Sequence, residues 1–449
     1  MDTRDISFNI LKRIEEEDAY VSDVLGQALT QLQFKEKRDR AFITRLVEGV
    51  TERRLSLDFL IDKFSSKTAN RGGQKKRSRI RPDVRILLRM GIYQIRYMES
   101  IPNRAAISET VRLVKEKGYE GLSGYVNALL RRIEQLYDEK KLDSYLVSDN
   151  SVRYSTPKWL VDFLTECYGK EMTKQILEDQ FAEHPTVVRV NLARTSLEEL
   201  KKSFEDKGIT VLDGSICSDR CLRISGYDQI KRLPGYRDGL FTVQDETSVS
   251  AIEKLQIKPG DTVLDLCASP GGKSTLAYEM SSDDEETGLI ISCDISDRKL
   301  ELIEENAERL QIPNGRGEIP AGIKTAINDA TILNKDFIDV ADVVIADVPC
   351  SGLGIIGRKN DIKYHTSLEA MSFLAKQGLT ILKNASRYVK KEGRICFSTC
   401  TINPGENQEV VQAFLDSEEG ADFKILEERT FLQGVDGSDG FYYCILNRI

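Results

Sequence analysis

Two strings in the last quarter of the chain put reactive side chains at comparable places: Asp347-Val348-Pro349-Cys350-Ser351-Gly352 and Phe397-Ser398-Thr399-Cys400-Thr401. Each follows an apolar run that predicts a strand, and open α/β sheets hold their ligands at the carboxyl ends of strands. A thiol there permits covalent catalysis, in which a thiolate bonds the substrate and a second group assists its later departure. The chain has nine cysteines but only two histidines, and neither His184 nor His365 sits in a recognisable dyad with a cysteine. Lowering a thiol's pKa would then fall to a helix N-terminus or a nearby Lys273. Singly, each cysteine reads as a small buried hydrophobe; paired at strand ends, they read as catalytic. Cys217/Cys221 and Cys396/Cys400 are spaced i, i+4, yet no further Cys or His completes a zinc set, so no metal is expected.

A second site precedes them. Asp265-Leu266-Cys267-Ala268-Ser269-Pro270-Gly271-Gly272-Lys273-Ser274 follows an apolar strand and opens a helix. Glycines there let backbone N–H groups approach a ligand, and a helix N-terminus favours a polar or anionic one. Gly272-Lys273-Ser274 matches the end of a nucleotide-triphosphate loop, but Cys267 stands where that loop needs its leading glycine. The turn also lacks the G-x-G-x-x-G order of dinucleotide folds. Asp294, Asp329 and Asp347 follow later strands: an acid after the second suits ribose hydroxyls, and one after the third can accept from an adenine amine. One such acid reads as a turn residue; three in order read as ligand contacts.

The elements that must position these residues divide the chain in three. Residues 1–140 read as an all-α domain, with apolar residues at helical spacing in Phe42, Ile43, Leu46, Val47 and Val50, again from Val84 to Ile95 after Pro82, and from Ala105 to Lys117 and Leu122 to Ile133. Asp138 to Asn150 is polar and reads as a linker. Residues 150–238 carry that linker's end and a small α+β module: a strand at Val187 to Leu192, a helix from Ser196 to Lys207, a strand at Ile209 to Leu212. Residues 239–449 alternate short apolar runs with helical stretches, which predicts a doubly wound, Rossmann-like α/β sheet. Ser281 to Glu286 and Pro313 to Gly322 read as surface insertions.

The chain's net charge is −8, but residues 1–150 hold 29 lysines and arginines against 23 acidic residues. A basic helical third on an acidic body suits a polyanion, and so does the basic loop Asn70 to Pro82; a solvated charged face explains both as well. The polar start and the absence of a long apolar run predict a soluble, cytoplasmic protein with no membrane partner. Scattered cysteines predict reduced thiols.

Leu264 to Ser274, Asp347 to Gly352 and Ser398 to Asn407 together resemble the RNA 5-methylcytosine methyltransferases that use S-adenosylmethionine. Arg81 to Gly91 and Val126 to Arg132 look like the NusB-type RNA-binding domain fused to some of them, and Gly437 to Tyr443 is similar too. The resemblance implies a methyl-donor pocket of Cys267, Ala268, Ser269, Pro270, Gly271, Gly272 and Lys273 with Asp294, Asp329 and Asp347. It makes Cys400 the nucleophile and Cys350 the residue of product release; Asp347 is placed to hydrogen-bond the cytosine N3 or amino edge, and Lys273 to orient Asp347 or form a structural salt bridge. DNA 5-methylcytosine enzymes, by the same resemblance, attack with the Pro-Cys thiol, so Cys400 points to RNA and away from DNA. The NusB-like part favours 16S ribosomal RNA as the partner of a monomeric enzyme. Transfer RNA is the alternative, and a non-catalytic RNA-binding or antitermination-type protein is another. Arg358 to His365 departs from the family's pattern.

Carbon 5 of cytosine is too weak a nucleophile to take a methyl group unaided, and thiolate attack at carbon 6 makes it enamine-like. Both reagents must reach the ring face, which requires an unpaired or flipped base.

Overall fold

The computed structural model describes residues 2–32, 36–65, 80–147, 149–213, 216–217, 219–283 and 285–449. The chain forms two compact units, Met1–Gln180 with Ile356–His365, and Phe181–Ile355 with Thr366–Ile449.

Unit one is helical. Its helices Thr3–Glu17, Val21–Gln31, Lys37–Glu52, Arg54–Ser65, Asn103–Glu116 and Ser123–Asp138 accompany a central one, Pro82–Tyr97. Proline at the first position suits that helix's start, and a run from Ile86 to Ile95 is buried on every side, as expected of a helix inside a bundle. The segment read as a linker after Asp138 contains another helix, Leu142–Leu146, whose two terminal leucines are buried in the same core. Apolar residues at i, i+4 suffice to anchor one turn in a polar stretch. A helix not foreseen from the sequence, Lys158–Asp179, bends at Gly169, where φ is 73°. Of the basic loop, Asn70 to Arg79 lie outside the described residues.

The segment Ile356–His365 folds with this helical unit, though it follows the Pro-Cys string in sequence. Asp361 Oδ2 accepts from the Val21 amide at 2.6 Å, and Tyr364 donates to the Ser155 carbonyl at 3.1 Å. Lys363 Nζ donates to Gln180 Oε1 at 2.8 Å and to the Glu52 carbonyl at 3.0 Å, and the His365 ring lies 4.5 Å from that of Tyr20. The departure from the family's pattern seen in the sequence therefore falls in a stretch with its own structural partners.

Unit two holds two sheets. The smaller is antiparallel, with β1 (Thr186–Val190), β2 (Thr210–Leu212), β3 (Cys221–Ser225) and β4 (Phe241–Val243) in the order β2-β3-β1-β4. Its helix Leu197–Glu205 starts at a capping box between Ser196 and Glu199. The larger sheet contains β5 (Thr262–Asp265), β6 (Leu289–Asp294), β7 (Asn314–Gly315), β8 (Gly322–Ile327), β9 (Ala341–Asp347), β10 (Val389–Thr399), β11 (Phe423–Phe431) and β12 (Phe441–Arg448). Their order is β11-β12-β10-β9-β5-β6-β8-β7, parallel from β10 to β7, with β12 antiparallel to both β10 and β11. Pro313 to Gly322, read as a bare surface insertion, supplies the edge strand β7.

The parallel strands read as short Val/Ile/Leu runs because both faces are covered. Chain order reverses direction between β5 and β9, so the crevice beyond their carboxyl ends is the topological switch point of the sheet. Among the described residues, no helix is long and apolar enough to cross a membrane.

Candidate active site

The switch point is bounded by Asp265 at the end of β5 and Asp347 at the end of β9. Asp347 pairs in register with Ser398 of β10, and the two are joined by side chains as well: Ser398 Oγ donates to Asp347 Oδ1 at 2.7 Å. Lys273, on the first turn of the helix Gly272–Met280, donates to Asp347 Oδ2 at 2.6 Å. Burial alone would lower the Lys273 ammonium's pKa, but Asp347 and then Asp265 outweigh it and leave it raised. Lys273 and Ser398 thus converge on one carboxylate, leaving it an acceptor of fixed orientation.

Beyond Asp347 the chain turns through Pro349 to Cys350, three residues past the strand rather than at its end, whereas Cys400 follows β10 directly. The two sulfurs lie 3.3 Å apart, in hydrogen-bond contact and unbonded. The Cys400 sulfur, and then burial, hold the Cys350 thiol well above its ordinary pKa. At this distance an S–H on one sulfur can stabilise a thiolate on the other, whereas two charges on the pair would repel.

The loops carrying both thiols are stitched together. The Glu406 carboxylate, 2% exposed, accepts from the Ser351 amide at 2.7 Å, the Ser351 hydroxyl at 2.6 Å and Asn403 Nδ2 at 2.8 Å. Burial raises its pKa. Asn407 accepts from the Thr399 hydroxyl at 2.6 Å and donates to the Thr401 carbonyl at 2.9 Å, pinning the turn through Cys400 from behind. The Cys400 carbonyl accepts from the Gly354 amide at 3.1 Å, and the Gly354 carbonyl accepts from Gly440. A Cβ on Gly354 would meet the Gly440 oxygen at 2.0 Å, so the C-terminal string can approach only a glycine there.

The glycine-rich turn forms as its sequence predicts. Gly271 has φ 96° and leads into the helix Gly272–Met280. The Ala268 amide bonds the Cys293 carbonyl at 2.9 Å, and the Ser269 amide bonds Asp294 Oδ2 at 3.0 Å. Asp294 Oδ1 accepts from Ile295 N at 2.8 Å and faces Lys299 Nζ at 2.9 Å. Asp294 therefore braces the turn, a role beside the ribose contact its position suggested. Cys267 is half-buried and burial raises its thiol pKa; Pro270 is exposed at the tip. Asp329 lies two residues past β8 and closes a local turn onto Thr331, with the amide at 2.9 Å and the hydroxyl at 2.6 Å; the hydroxyl and then the amide lower its pKa.

Three residues that the sequence reading left without a role belong to this region. Ser398 and Glu406 lie inside the quoted strings, and their only signal was that position. Asp265 is fully buried: Ser274 Oγ donates to its Oδ2 at 2.7 Å, while Oδ1 is buried without a hydrogen-bond partner. Burial pushes its pKa up to about 7. A left-handed glycine turn, strand-end acids and an orphaned carboxylate oxygen fit a polar, cationic ligand such as S-adenosylmethionine. Among the described residues, no group of three His, Cys, Asp or Glu could hold a metal ion.

Comparison with known proteins agrees along the whole chain. Residues 252–446 match the family described as 16S rRNA methyltransferase RsmB/F, residues 1–135 the NusB family, and residues 156–229 the ferredoxin-like domain of RsmF/B-like methyltransferases. A probable ribosomal RNA small subunit methyltransferase B of Bacillus subtilis is 31% identical over 99% of this chain and 98% of its own length. The ribosomal RNA small subunit methyltransferase B of Vibrio cholerae is 28% identical over 100% of this chain and 98% of its own. The solved structure of PH0851 shares the fold, with TM-score 0.76 and 21% identity over 100% of this chain and 99% of that one. NSun6 from Pyrococcus horikoshii superposes with TM-score 0.57 at 19% identity, over 65% of this chain and 98% of that one.

Proposed function

Because this chain belongs to the 16S rRNA methyltransferase RsmB/F family and is thus an S-adenosylmethionine-dependent rRNA methyltransferase, we propose that it methylates carbon 5 of one cytosine in 16S ribosomal RNA through a covalent bond from Cys400 to carbon 6. The observation that carries this reading is the 3.3 Å contact between two unbonded sulfurs beside a carboxylate already fixed by Lys273 and Ser398.

Residues 267–273 with Asp294, Asp329 and Asp347 would hold S-adenosylmethionine, which would supply the electrophilic methyl group. The protein's own residues do the rest. Asp347 accepts from the cytosine amino edge and sets the ring's orientation. The Cys400 thiolate bonds carbon 6, the carbon 5–carbon 6 π pair becomes available at carbon 5, and carbon 5 takes the methyl group. The carbon 5 proton then leaves to water, the ring double bond re-forms, and the bond from carbon 6 to Cys400 breaks. Cys350 gives its proton to the departing sulfur, and that proton returns across the sulfur pair once the product has left. Lys273 fixes Asp347 throughout.

The reading is tested with Cys350→Ala and Cys400→Ala on 16S RNA and S-adenosylmethionine. Cys350→Ala is expected to accumulate a denaturant-stable protein–RNA adduct mapped to Cys400, and Cys400→Ala to form none. The reverse pattern exchanges the roles. Bisulfite sequencing of total RNA from cells lacking the gene is expected to lose a single 16S position; a lost transfer RNA position instead would sink the substrate assignment.

A further inference from the structure

We propose that Arg189 is a positioning residue for the methyl donor: reaching out of the small sheet, it fixes the helix that follows the glycine-rich turn, so that the small module helps to shape the donor site. This rests on the placement of S-adenosylmethionine at residues 267–273 given above and extends that site to a strand of the ferredoxin-like part.

Arg189 stands in β1 with its side chain fully enclosed, at 0% exposure, and its guanidinium meets three acceptors. Nε donates to Gln244 Oε1 at 2.8 Å, Nη2 donates to Thr275 Oγ1 at 2.9 Å, and Nη1 donates to Glu279 Oε1. Thr275 and Glu279 are four residues apart and so lie one above the other on a single face of the helix Gly272–Met280. The contact continues into the turn. The Thr275 hydroxyl donates to the Gly272 carbonyl at 3.0 Å, and the Thr275 amide donates to the Gly271 carbonyl at 2.9 Å. Gln244, which Arg189 also holds, lies against Gly272, where a Cβ would meet Gln244 Cδ at 3.4 Å. Arg189 therefore reaches Gly272 by two routes, each through one side chain.

Stability does not account for this arrangement. A buried ion pair gains little over apolar side chains of equal volume, because both charges are taken out of water. What an apolar side chain would not do is hold three acceptors in set directions, as a planar guanidinium does. Those directions register the helix. Lys273 and Ser274 leave its first turn towards Asp347 and Asp265, so a helix displaced along or about its axis would carry the glycine-rich turn and Lys273 with it. A neighbouring arginine supplies the contrast. Arg220 approaches Glu279 Oε2 at 3.5 Å and donates to Glu253 Oε1 at 3.1 Å. These contacts meet the helix in its last turn, away from the glycines.

The test is the S-adenosylmethionine affinity of the full-length protein by calorimetry, with 16S RNA affinity by filter binding beside it. Arg189→Met is expected to weaken donor binding by about tenfold, the worth of one hydrogen bond to a charged group, and to leave RNA binding native. Arg220→Met, which removes a charge from the same interface, should leave donor affinity native. Thr275 supplies a second pair of variants that decides the matter should Arg189→Met not fold. Thr275→Val keeps the shape and loses the hydroxyl, so it should weaken donor binding; Thr275→Ser keeps the hydroxyl and should bind as the native chain does. A residue that merely packs predicts the reverse, since valine fills the space and serine leaves a methyl-sized gap. That reverse order overturns the proposal, as do equal affinities in the two Thr275 variants, equal effects of Arg189→Met and Arg220→Met, or a loss of RNA affinity matching the loss of donor affinity. Gly271→Ala in the same titration separates this inference from the reading beneath it. Native donor affinity in Gly271→Ala would mean that the cradle itself is misplaced, and the role of Arg189 falls with it. Weakened binding in Gly271→Ala, with native binding in Arg189→Met and Thr275→Val, keeps the cradle and removes this inference alone.

Discussion

The Lys273 ammonium lies 2.6 Å from Asp347 Oδ2, joining the helix after the glycine-rich turn to the strand that leads to Cys350. The pair is enclosed, with side-chain exposures of 14% and 29%. Removing one partner of such a pair leaves the other charge uncompensated, at a cost of about 3 kcal/mol where some solvent remains. Lys273→Met is therefore expected to lower both cofactor affinity and methyl-transfer rate, since it frees the carboxylate that the proposed mechanism sets between methyl donor and base. Asp347→Asn should slow transfer by about a hundredfold or more, the usual effect of losing one oriented polar group at a reacting centre. Methyl incorporation from labelled S-adenosylmethionine and calorimetric binding separate the two effects. Equal activity in both variants and the native protein would remove the pair from the mechanism.

Gly271 gives a cleaner test of the proposed methyl-donor cradle. Its φ of 96° is a conformation that a side chain resists, and a Cβ there would stand 3.2 Å from Ile303 Cγ2. Gly271→Ala is expected to strain the turn by about 1–2 kcal/mol and to weaken S-adenosylmethionine binding by about tenfold. RNA binding should be unchanged. Isothermal titration with the cofactor and a filter-binding assay with RNA read the two separately; a loss of RNA affinity alone would contradict the placement of the cofactor at this turn.

How much of this was legible in the sequence depends on whether a residue's role is local or made by another segment. Gly271 and the strand-end acids were legible because a turn and a strand end are local events with a characteristic residue order. The paired register of Asp347 with Ser398, and the 3.3 Å approach of Cys350 to Cys400, depend on two parallel strands meeting across 50 residues of chain. The cysteines stood out by type, so their partnership could be guessed; Ser398 and Glu406 did not, because serine and glutamate are common and their partners lie on the other loop. Leu142 and Leu146 were lost in a polar stretch, where two apolar residues make too short a pattern to distinguish a docked turn from a linker. The family resemblance identified the strings, but the docking of residues 356–365 with the helices was visible only through Asp361, Lys363 and Tyr364 in three dimensions.

Lys363 makes that docking sensitive to pH. It is fully buried, and burial lowers its ammonium from an ordinary value of 10.5 to about 7. The unfolded chain therefore binds a proton that the folded chain has released throughout the interval between those values. Stability must rise with pH across that interval, with a ceiling of about 1.4 kcal/mol per pH unit; below the folded value both states are protonated and the slope vanishes. Lys363→Met removes the titration and strips a donor from Gln180 Oε1 and the Glu52 carbonyl. The native protein's advantage over Lys363→Met should accordingly grow between about pH 6.5 and 8.5, below the range in which the raised thiols begin to lose stability to alkali. The chain's single tryptophan, Trp159, lies in the helix Lys158–Asp179 of the same unit, so urea unfolding followed by its fluorescence reports on this part of the protein. A constant difference between the two proteins over that pH range would mean that Lys363 stays charged in the folded unit.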